Sequence, residues 1–128
     1  MKNKKAQPDA FIKLCPSREI VARLSDKWSM LVIALLYNHN KPIRFGVLKS
    51  EVEGISQKVL TQTLRRLERD GLVTRMVYNE MPLRVEYHLT SMANDFVPIV
   101  SAFKEWAELH MHEILLQNSK YDKKGETA

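Results

Sequence analysis

The stretch from residue 56 to residue 87 constrains the fold of this chain more than any other. It reads SQKVLTQTLRRLERDGLVTRMVYNEMPLRVEY. Its first half carries leucines at helical spacing, and Gly71 follows as a helix stop. Two alternating runs come next, at 72–78 and 84–89, separated by a short turn that contains Pro82. A short helix followed by a β-hairpin is therefore predicted.

Three helices are predicted before this stretch. The first begins after Cys15, where Pro16 suits a helix start because its missing N–H would have no helical partner. The second runs from Lys27 to about Asn38 with Asp26 as its N-cap, and it is apolar nearly all round, so we expect it at the centre of the core. The third covers 44–52. Two short helices joined by a few residues that contain a glycine are typical of a helix-turn-helix.

A last helical region is predicted from Thr90 to about Gln117, and Pro98 within it is expected to kink or divide it. A packing seam recurs along this region at alternating spacings of four and three residues. It comprises Phe96, Val100, Phe103, Ala107, His110 and Ile114, and Trp106 widens it. Such a stripe packs either against its own domain or against a second copy. Because symmetric dimers are the commonest oligomers, we expect a homodimer whose interface combines the first helical segments with this one.

These patterns predict a mainly α chain with a small β-hairpin wing (α+β class). The expected architecture is a winged helix-turn-helix with dimerisation helices from both chain ends. Residues 14–117 are predicted to form this domain, preceded by a flexible arm at 1–13 and followed by a flexible tail at 118–128.

The fourth helix is predicted to have an apolar inside and a basic outside. Leu60, Leu64 and Leu67 form one stripe, and five basic side chains against two acidic ones lie between residues 56 and 76. Lys and Arg can neutralise phosphates, while Gln and Arg can also pair with base edges. The side chains predicted to contact double-stranded DNA are Arg44, Ser56, Gln57, Lys58, Thr61, Gln62, Arg65, Arg66, Arg69, Asn79 and Arg84.

Several of these positions have an alternative interpretation. Arg66 and Arg69 could equally be solvent-facing charges or pair with nearby acids. Arg84 could enter a minor groove or clamp a phosphate, or it could pair with Glu80 or Glu86. A polar helix face that meets only solvent is the general alternative.

Composition excludes some classes and favours others. A net charge of +5 and a pI near 9.4 suit a polyanionic partner. The longest unbroken apolar run, 30–37, is too short to span a bilayer, and no apolar signal region follows the charged start. The single cysteine, Cys15, allows no disulfide within one chain, which fits a reducing compartment, so we expect a cytoplasmic protein.

The sequence offers no catalytic or cofactor site. We find no Ser-His-Asp arrangement, no paired carboxylates and no glycine-rich phosphate loop. His110 and His112 are two residues apart on a helix and point to different sides, so a metal site is not expected. We therefore expect neither an enzyme nor a bound cofactor.

The chain resembles the HxlR-type regulators, a MarR-like winged-helix family, from about Cys15 to Ala107. The residues that carry the resemblance are Cys15-Pro16 and the ranges 26–31, 44–48, 54–61, 64–73 and 84–90. The resemblance implies a bacterial dimeric transcriptional regulator, often a repressor near its own promoter, that binds a pseudo-palindromic operator. Departures from the family pattern are Asp26 in place of a frequent glycine and Met92-Ala93 in place of Leu-Gly.

Several members of that family are described as sensing electrophiles or oxidants through the cysteine that Cys15 matches. The residues themselves also favour reactivity, because a thiol pKa falls near a helix N-terminus and near cations, here Lys13 and Arg18. An inter-subunit disulfide, a mixed disulfide and alkylation are the possible outcomes. The alternative for Cys15 is a packing role.

Three functions stay open at this point. The first is a DNA-binding regulator released by modification of Cys15. The second is a regulator that responds to a small ligand near the dimer interface. The third is a winged-helix module that binds protein and has no operator.

Overall fold

The computed structural model describes residues 7–127, with side chains through residue 125, so residues 1–6 of the predicted arm lie outside the described part. The described elements are α1 Pro16–Leu24, α2 Lys27–His39, β1 Ile43–Arg44, α3 Phe45–Glu51, α4 Gln57–Arg69, β2 Val73–Tyr78, β3 Arg84–Leu89 and α5 Ser91–Thr127. The predicted helix order and the β2–β3 hairpin are confirmed.

The start of α2 follows the predicted capping chemistry. Asp26 has extended backbone angles, and its carboxylate accepts a hydrogen bond from the Ser29 N–H at 3.2 Å. The helix is less completely buried than predicted. One side is enclosed, whereas Leu31 and Tyr37 are each about half exposed.

The three strands form one antiparallel sheet in the order β1-β3-β2. Strand β1 was not predicted, because two residues are too few to show alternation. It places Arg44 opposite Glu86 of β3, so the prediction that Arg44 starts the third helix is wrong. Helix α3 instead begins at Phe45.

The core lies between α2, α3, α4 and the sheet, and the first turns of α5 close it. Buried aliphatic side chains from all these elements meet there. They include Val32, Ile33, Leu36, Leu48, Leu60, Leu64, Leu67, Val73, Ala93 and Val97. Burial of this apolar surface is the main stabilising contribution to the fold.

Thr90 joins the end of α4, the exit of the hairpin and the start of α5. Its hydroxyl donates to the Gly71 carbonyl at 2.7 Å and accepts from the Ala93 N–H at 3.3 Å. Gly71 has a φ of +80°, which favours glycine, and a Cβ there would lie 3.3 Å from the Met92 side chain. The predicted cap at Thr90 is confirmed, and it fixes these three elements relative to one another.

Helix α5 is continuous from Ser91 to Thr127, so Pro98 does not divide it. Proline removes one helical N–H, but Asn94 one turn earlier is exposed and its carbonyl can bond water. Val97 and Val100 on either side of the proline are buried and hold the helix against the core. The helix also runs through 118–127, where the sequence predicts a flexible tail.

Candidate nucleic-acid interface and thiol site

Helix α4, named the recognition helix from here on, is set in place by its first turn and its apolar side. The Ser56 hydroxyl caps it by accepting from the Val59 N–H at 3.1 Å. Gly54, with a φ of +87°, forms the turn after α3. Leu60, Leu64 and Leu67 are at most 2 % exposed, so the predicted inside of this helix is confirmed.

The opposite side of the recognition helix presents its polar side chains to solvent. Lys58, Gln62 and Arg65 are exposed and Thr61 is half-buried. This exposure agrees with the outward face predicted for these residues. Thr61 and Arg65 also line a groove of about 320 Å³ between this helix and the sheet. Glu68 and Arg75 line the other part of that groove.

The basic side chains around this face differ in whether an acid neutralises them. Among the side chains described, residues 7–125, no acidic group lies within 4.0 Å of the charged atoms of Lys58, Arg65, Arg69 or Arg75. An unpaired cation on an exposed face is available to an external anion. This set of four is named the free basic face below.

Arg66 belongs to a different surface. Its guanidinium lies 3.5 Å from the carboxylate of Asp26 at the start of α2. The sequence left open whether Arg66 meets DNA or a nearby acid, and the structure pairs it with the acid. Arg69, the other ambiguous position, stays unpaired.

The wing, defined as residues 73–89, is less basic than predicted. Arg84 binds both Glu80 and Glu86 at 2.8 Å, and its guanidinium lies over the Tyr78 ring with 3.7 Å to the centroid. Asn79, the residue after the end of β2, is exposed. The acid-paired alternative for Arg84 is therefore the arrangement found in the free protein.

The tip of the wing is apolar, a feature that sequence analysis missed. Met81 is 98 % exposed and Leu83 is 60 % exposed. Both follow Glu80 in a five-residue turn that reads NEMPL. The signal available in the sequence was two large apolar residues in a short hairpin turn, where polar residues are usual.

Cys15 is half-buried at the N-cap position of α1. Its Sγ lies 3.1 Å from the Ser17 hydroxyl and accepts from the Asp9 N–H at 3.3 Å. The Ser17 hydroxyl, and then the backbone N–H groups, lower the pKa of the Cys15 thiol because they stabilise the thiolate. A lowered pKa increases the reactive fraction near neutral pH.

Of the two predicted causes of this shift, the helix N-terminus contributes through the Ser17 backbone N–H, and the cations do not. Lys13 and Arg18 do not contribute to it. Arg18 instead donates to the carbonyls of Ala10 and Phe11, both at 2.9 Å, and so folds the preceding turn against α1. That turn brings the Asp9 N–H to the sulfur.

The predicted seam on α5 divides into two parts. Phe96 is half-buried and Val100 is 5 % exposed, because both pack within the chain, as the intramolecular alternative expects for these two. Further along the helix, large apolar side chains have no cover. They include Phe103 at 57 %, Trp106 at 54 % and Ile114 at 41 % exposed, with Ala107 exposed between them. The His110 ring is tilted by 39° against the Trp106 ring, with 4.7 Å between their centroids, and its Nδ1 lies 3.3 Å from the Glu113 carboxylate.

Other kinds of site are not found in the described part of the chain. No group of three His, Cys, Asp or Glu side chains between residues 7 and 125 could hold a metal ion. Among the described helices, none is long and apolar enough to cross a membrane.

Comparisons with known proteins agree on one family. The model of the HxlR-like helix-turn-helix family matches residues 23–114. The chain is 35% identical over 105 residues to the uncharacterized HTH-type transcriptional regulator YtfH of Escherichia coli K12, covering 82% of each chain. It is also similar to the solved structure of the transcriptional regulator ytfH from Salmonella typhimurium, with a TM-score of 0.80, 33% identity and coverage of 88% and 99%. The redox regulator HypR in its oxidized form has a TM-score of 0.62 and 37% identity, with coverage of 73% and 95%.

Proposed function

The chain belongs to the HxlR-like helix-turn-helix family and is a winged-helix transcriptional regulator, and we propose that it represses a nearby promoter as a cytoplasmic homodimer. Two recognition helices would bind the half-sites of a pseudo-palindromic operator in double-stranded DNA. Oxidation or alkylation of Cys15 would release it. Family membership identifies a DNA-binding regulator and not an enzyme.

The free basic face is the single observation that carries the DNA-binding part of the proposal. Three buried leucines anchor the recognition helix in the core, so its outward side chains are presented on a rigid element. Gln57, Lys58, Thr61 and Gln62 lie in its first two turns, from which such helices usually reach bases. Arg65, Arg69 and Arg75 extend the positive charge beyond them and suit phosphates.

The wing and its neighbours have a smaller part in this proposal. Asn79 lies at the exposed end of the hairpin, and Arg44 is exposed on β1 without an acid within 4.0 Å among the described residues. Both suit phosphate contact beside the recognition helix. Arg66, which binds Asp26, is proposed to orient that helix and not to contact DNA.

The uncovered half of α5 supports the dimer. From residue 101 to 125 almost every position is exposed, and yet large apolar side chains recur there. Exposed apolar patches on this scale mark interaction surfaces. Helix α1 has no buried residue, and its Ile20 and Leu24 line an apolar groove of about 370 Å³ with Phe96 and Ile99 of α5. The two chain ends thus offer one adjoining apolar surface to a second copy.

The environment of Cys15 supports release by oxidants or electrophiles. The Ser17 hydroxyl favours the thiolate, and α1, which begins at the next residue, belongs to the proposed dimer surface. If two Cys15 thiols from two protomers join, they lose two protons and pass two electrons to the oxidant. A related structure, HypR, is a redox regulator.

Selection of bound fragments from genomic DNA, repeated with diamide, tests DNA binding, the dimer and the role of Cys15 in one experiment. We expect enriched inverted repeats with half-sites about one helical turn apart, and their loss on oxidation of wild type but not of Cys15→Ser. A reporter fused to the selected promoter should rise when the gene for the regulator is deleted. Absence of any enriched site would refute the DNA-binding proposal. Binding by wild type that withstands both diamide and an alkylating quinone would refute the role of Cys15.

A further inference from the structure

We propose that the Arg84 guanidinium is a phosphate-binding site of the wing that the Glu80 carboxylate occupies in the free protein. On this proposal Glu80 is an internal competitor of the DNA backbone and sets the affinity of the regulator for its operator. The inference rests on the proposed DNA-binding function.

Two neighbours fix the Arg84 guanidinium and leave its Nε–Nη2 edge able to bind an anion that can be exchanged. Glu86 binds its Nη1 at 2.8 Å, and the Tyr78 ring covers one face at 3.7 Å. Glu80 takes the opposite edge, with Nε 3.2 Å from both carboxylate oxygens and Nη2 2.8 Å from Oε2. This Nε–Nη2 edge is the one that binds a carboxylate or a phosphate through two parallel hydrogen bonds.

The two carboxylates differ in how easily they can leave. Glu86 is only 16 % exposed and lies within β3, opposite Met76 of β2 and Arg44 of β1. Glu80 is 50 % exposed and lies in the turn after β2, next to the exposed Met81. Glu80 can therefore swing into solvent without disturbing the sheet, whereas Glu86 stays as the fixed support of Arg84.

The charge on Glu80 is maintained at neutral pH. The hydrogen bonds from Arg84, and then the positive charges of Arg84 and Arg44, hold the pKa of the Glu80 carboxyl below its usual range. Glu80, Arg84 and Glu86 together carry a net charge of −1, so this three-residue cluster repels a phosphate while Glu80 occupies the guanidinium. When a phosphate replaces Glu80 on the guanidinium, the site is still filled by one anion, and the cost is the exposure of the Glu80 carboxylate.

Glu80→Gln tests the proposal because the side chain keeps its size and loses its charge. On an operator fragment from the selection above, we expect the variant to bind about two- to fivefold more tightly than wild type at moderate salt. We also expect the slope of log K against log salt to steepen by about one unit, because the displaced Glu80 carboxylate of wild type takes up a cation from solution and the uncharged glutamine does not. Fluorescence anisotropy at four or more salt concentrations gives both quantities.

Two further variants separate the site from a general charge effect. Arg84→Ala removes the site, so adding Glu80→Gln to it should give no gain. Glu108→Gln changes the net charge equally and breaks an ion pair of the same spacing, the one with Lys104 on α5, and it should leave affinity unchanged.

Different results would refute the role of Glu80 and the proposed DNA-binding function. Unchanged or weaker binding by Glu80→Gln would overturn the inference, as would a gain that persists in the Arg84→Ala background. Neither result affects the proposed function, since wild type still binds the operator in both cases. Failure of wild type to bind any selected fragment would refute the proposed function first.

Discussion

The Arg23 guanidinium binds both carboxylate oxygens of Asp70, with Nε 2.9 Å from Oδ2 and Nη2 3.2 Å from Oδ1. The pair joins α1 to the C-cap of the recognition helix across 47 residues of sequence. It raises the pKa of the Arg23 guanidinium, which stays charged in any case. With Arg66–Asp26, it is one of two described ion pairs that hold the recognition helix to the N-terminal helices.

Breaking the Arg23–Asp70 pair should destabilise the fold. Asp70→Asn and Arg23→Gln are each expected to lower the melting temperature, because each leaves one charge without its bidentate partner. The double variant should lose less than the sum of the two. Thermal unfolding at one fixed protein concentration gives this double-mutant cycle. Strictly additive losses would show that the pair makes no coupled contribution.

Replacing Arg65 should reduce DNA binding and leave stability unchanged. Arg65→Ala is expected to weaken operator binding about tenfold or more, the range for one base or phosphate contact from a recognition helix. Arg66→Ala is the comparison variant, one position along the same helix. Its side chain faces Asp26 and only orients the helix, so its loss of affinity should be clearly smaller. Equal losses of affinity in the two variants would contradict the assignment of the free basic face.

Replacing Thr63 of the recognition helix by valine should stabilise the fold. Thr63 is fully buried, and among the described residues its hydroxyl has no hydrogen-bond partner. Thr63→Val removes that unsatisfied group with little change of volume, so we expect the free energy of unfolding to rise by about 1 kcal/mol. Chemical denaturation measures it. A decrease would mean that the hydroxyl has a partner, such as a buried water molecule.

Charging the uncovered part of α5 should separate the proposed dimer. Trp106→Glu is expected to be monomeric at concentrations where wild type sediments as a dimer, because an acid would be buried in an apolar interface. Met81→Glu makes the same kind of change on the wing, where Met81 is 98 % exposed, and should keep the wild-type mass. A dimeric Trp106→Glu protein would place the interface elsewhere.

The lowered pKa of Cys15 predicts a specific pH dependence of its alkylation. The thiolate should form at lower pH than in an ordinary cysteine, and Ser17→Ala should move the midpoint upward, because the Ser17 hydroxyl is the largest cause of the shift. Ser25→Ala is the control, because the Ser25 hydroxyl donates to the Ala22 carbonyl and not to the Cys15 sulfur. Iodoacetamide labelling rates against pH give the midpoint, and equal midpoints in wild type and Ser17→Ala would contradict the assignment.

The same shift has a consequence for stability with a definite sign. The folded state favours the thiolate of Cys15, so this contribution is present above the pKa of the thiol in the unfolded chain. It is lost as the pH falls through the lower pKa of the folded state.

The sequence alone determined the elements whose causes are local. Capping by Asp26, Ser56 and Thr90, the leucine stripe of the recognition helix and the alternation of β3 are all legible within a few residues. Their physical origin is hydrogen bonding and side-chain periodicity along one segment. A division of the last helix at Pro98 was the exception, since α5 continues through it from Ser91 to Thr127.

Only the tertiary structure decided which charges are free to meet an external anion. Arg65 and Arg66 are adjacent in sequence, yet one stays unpaired while the other binds an acid 40 residues away. Arg84 could not be assigned until the hairpin brought Glu80, Glu86 and Tyr78 around one guanidinium. Ion pairing depends on distances in space that periodicity does not encode, so the sequence determined the helices and the wing while their packing determined the binding face.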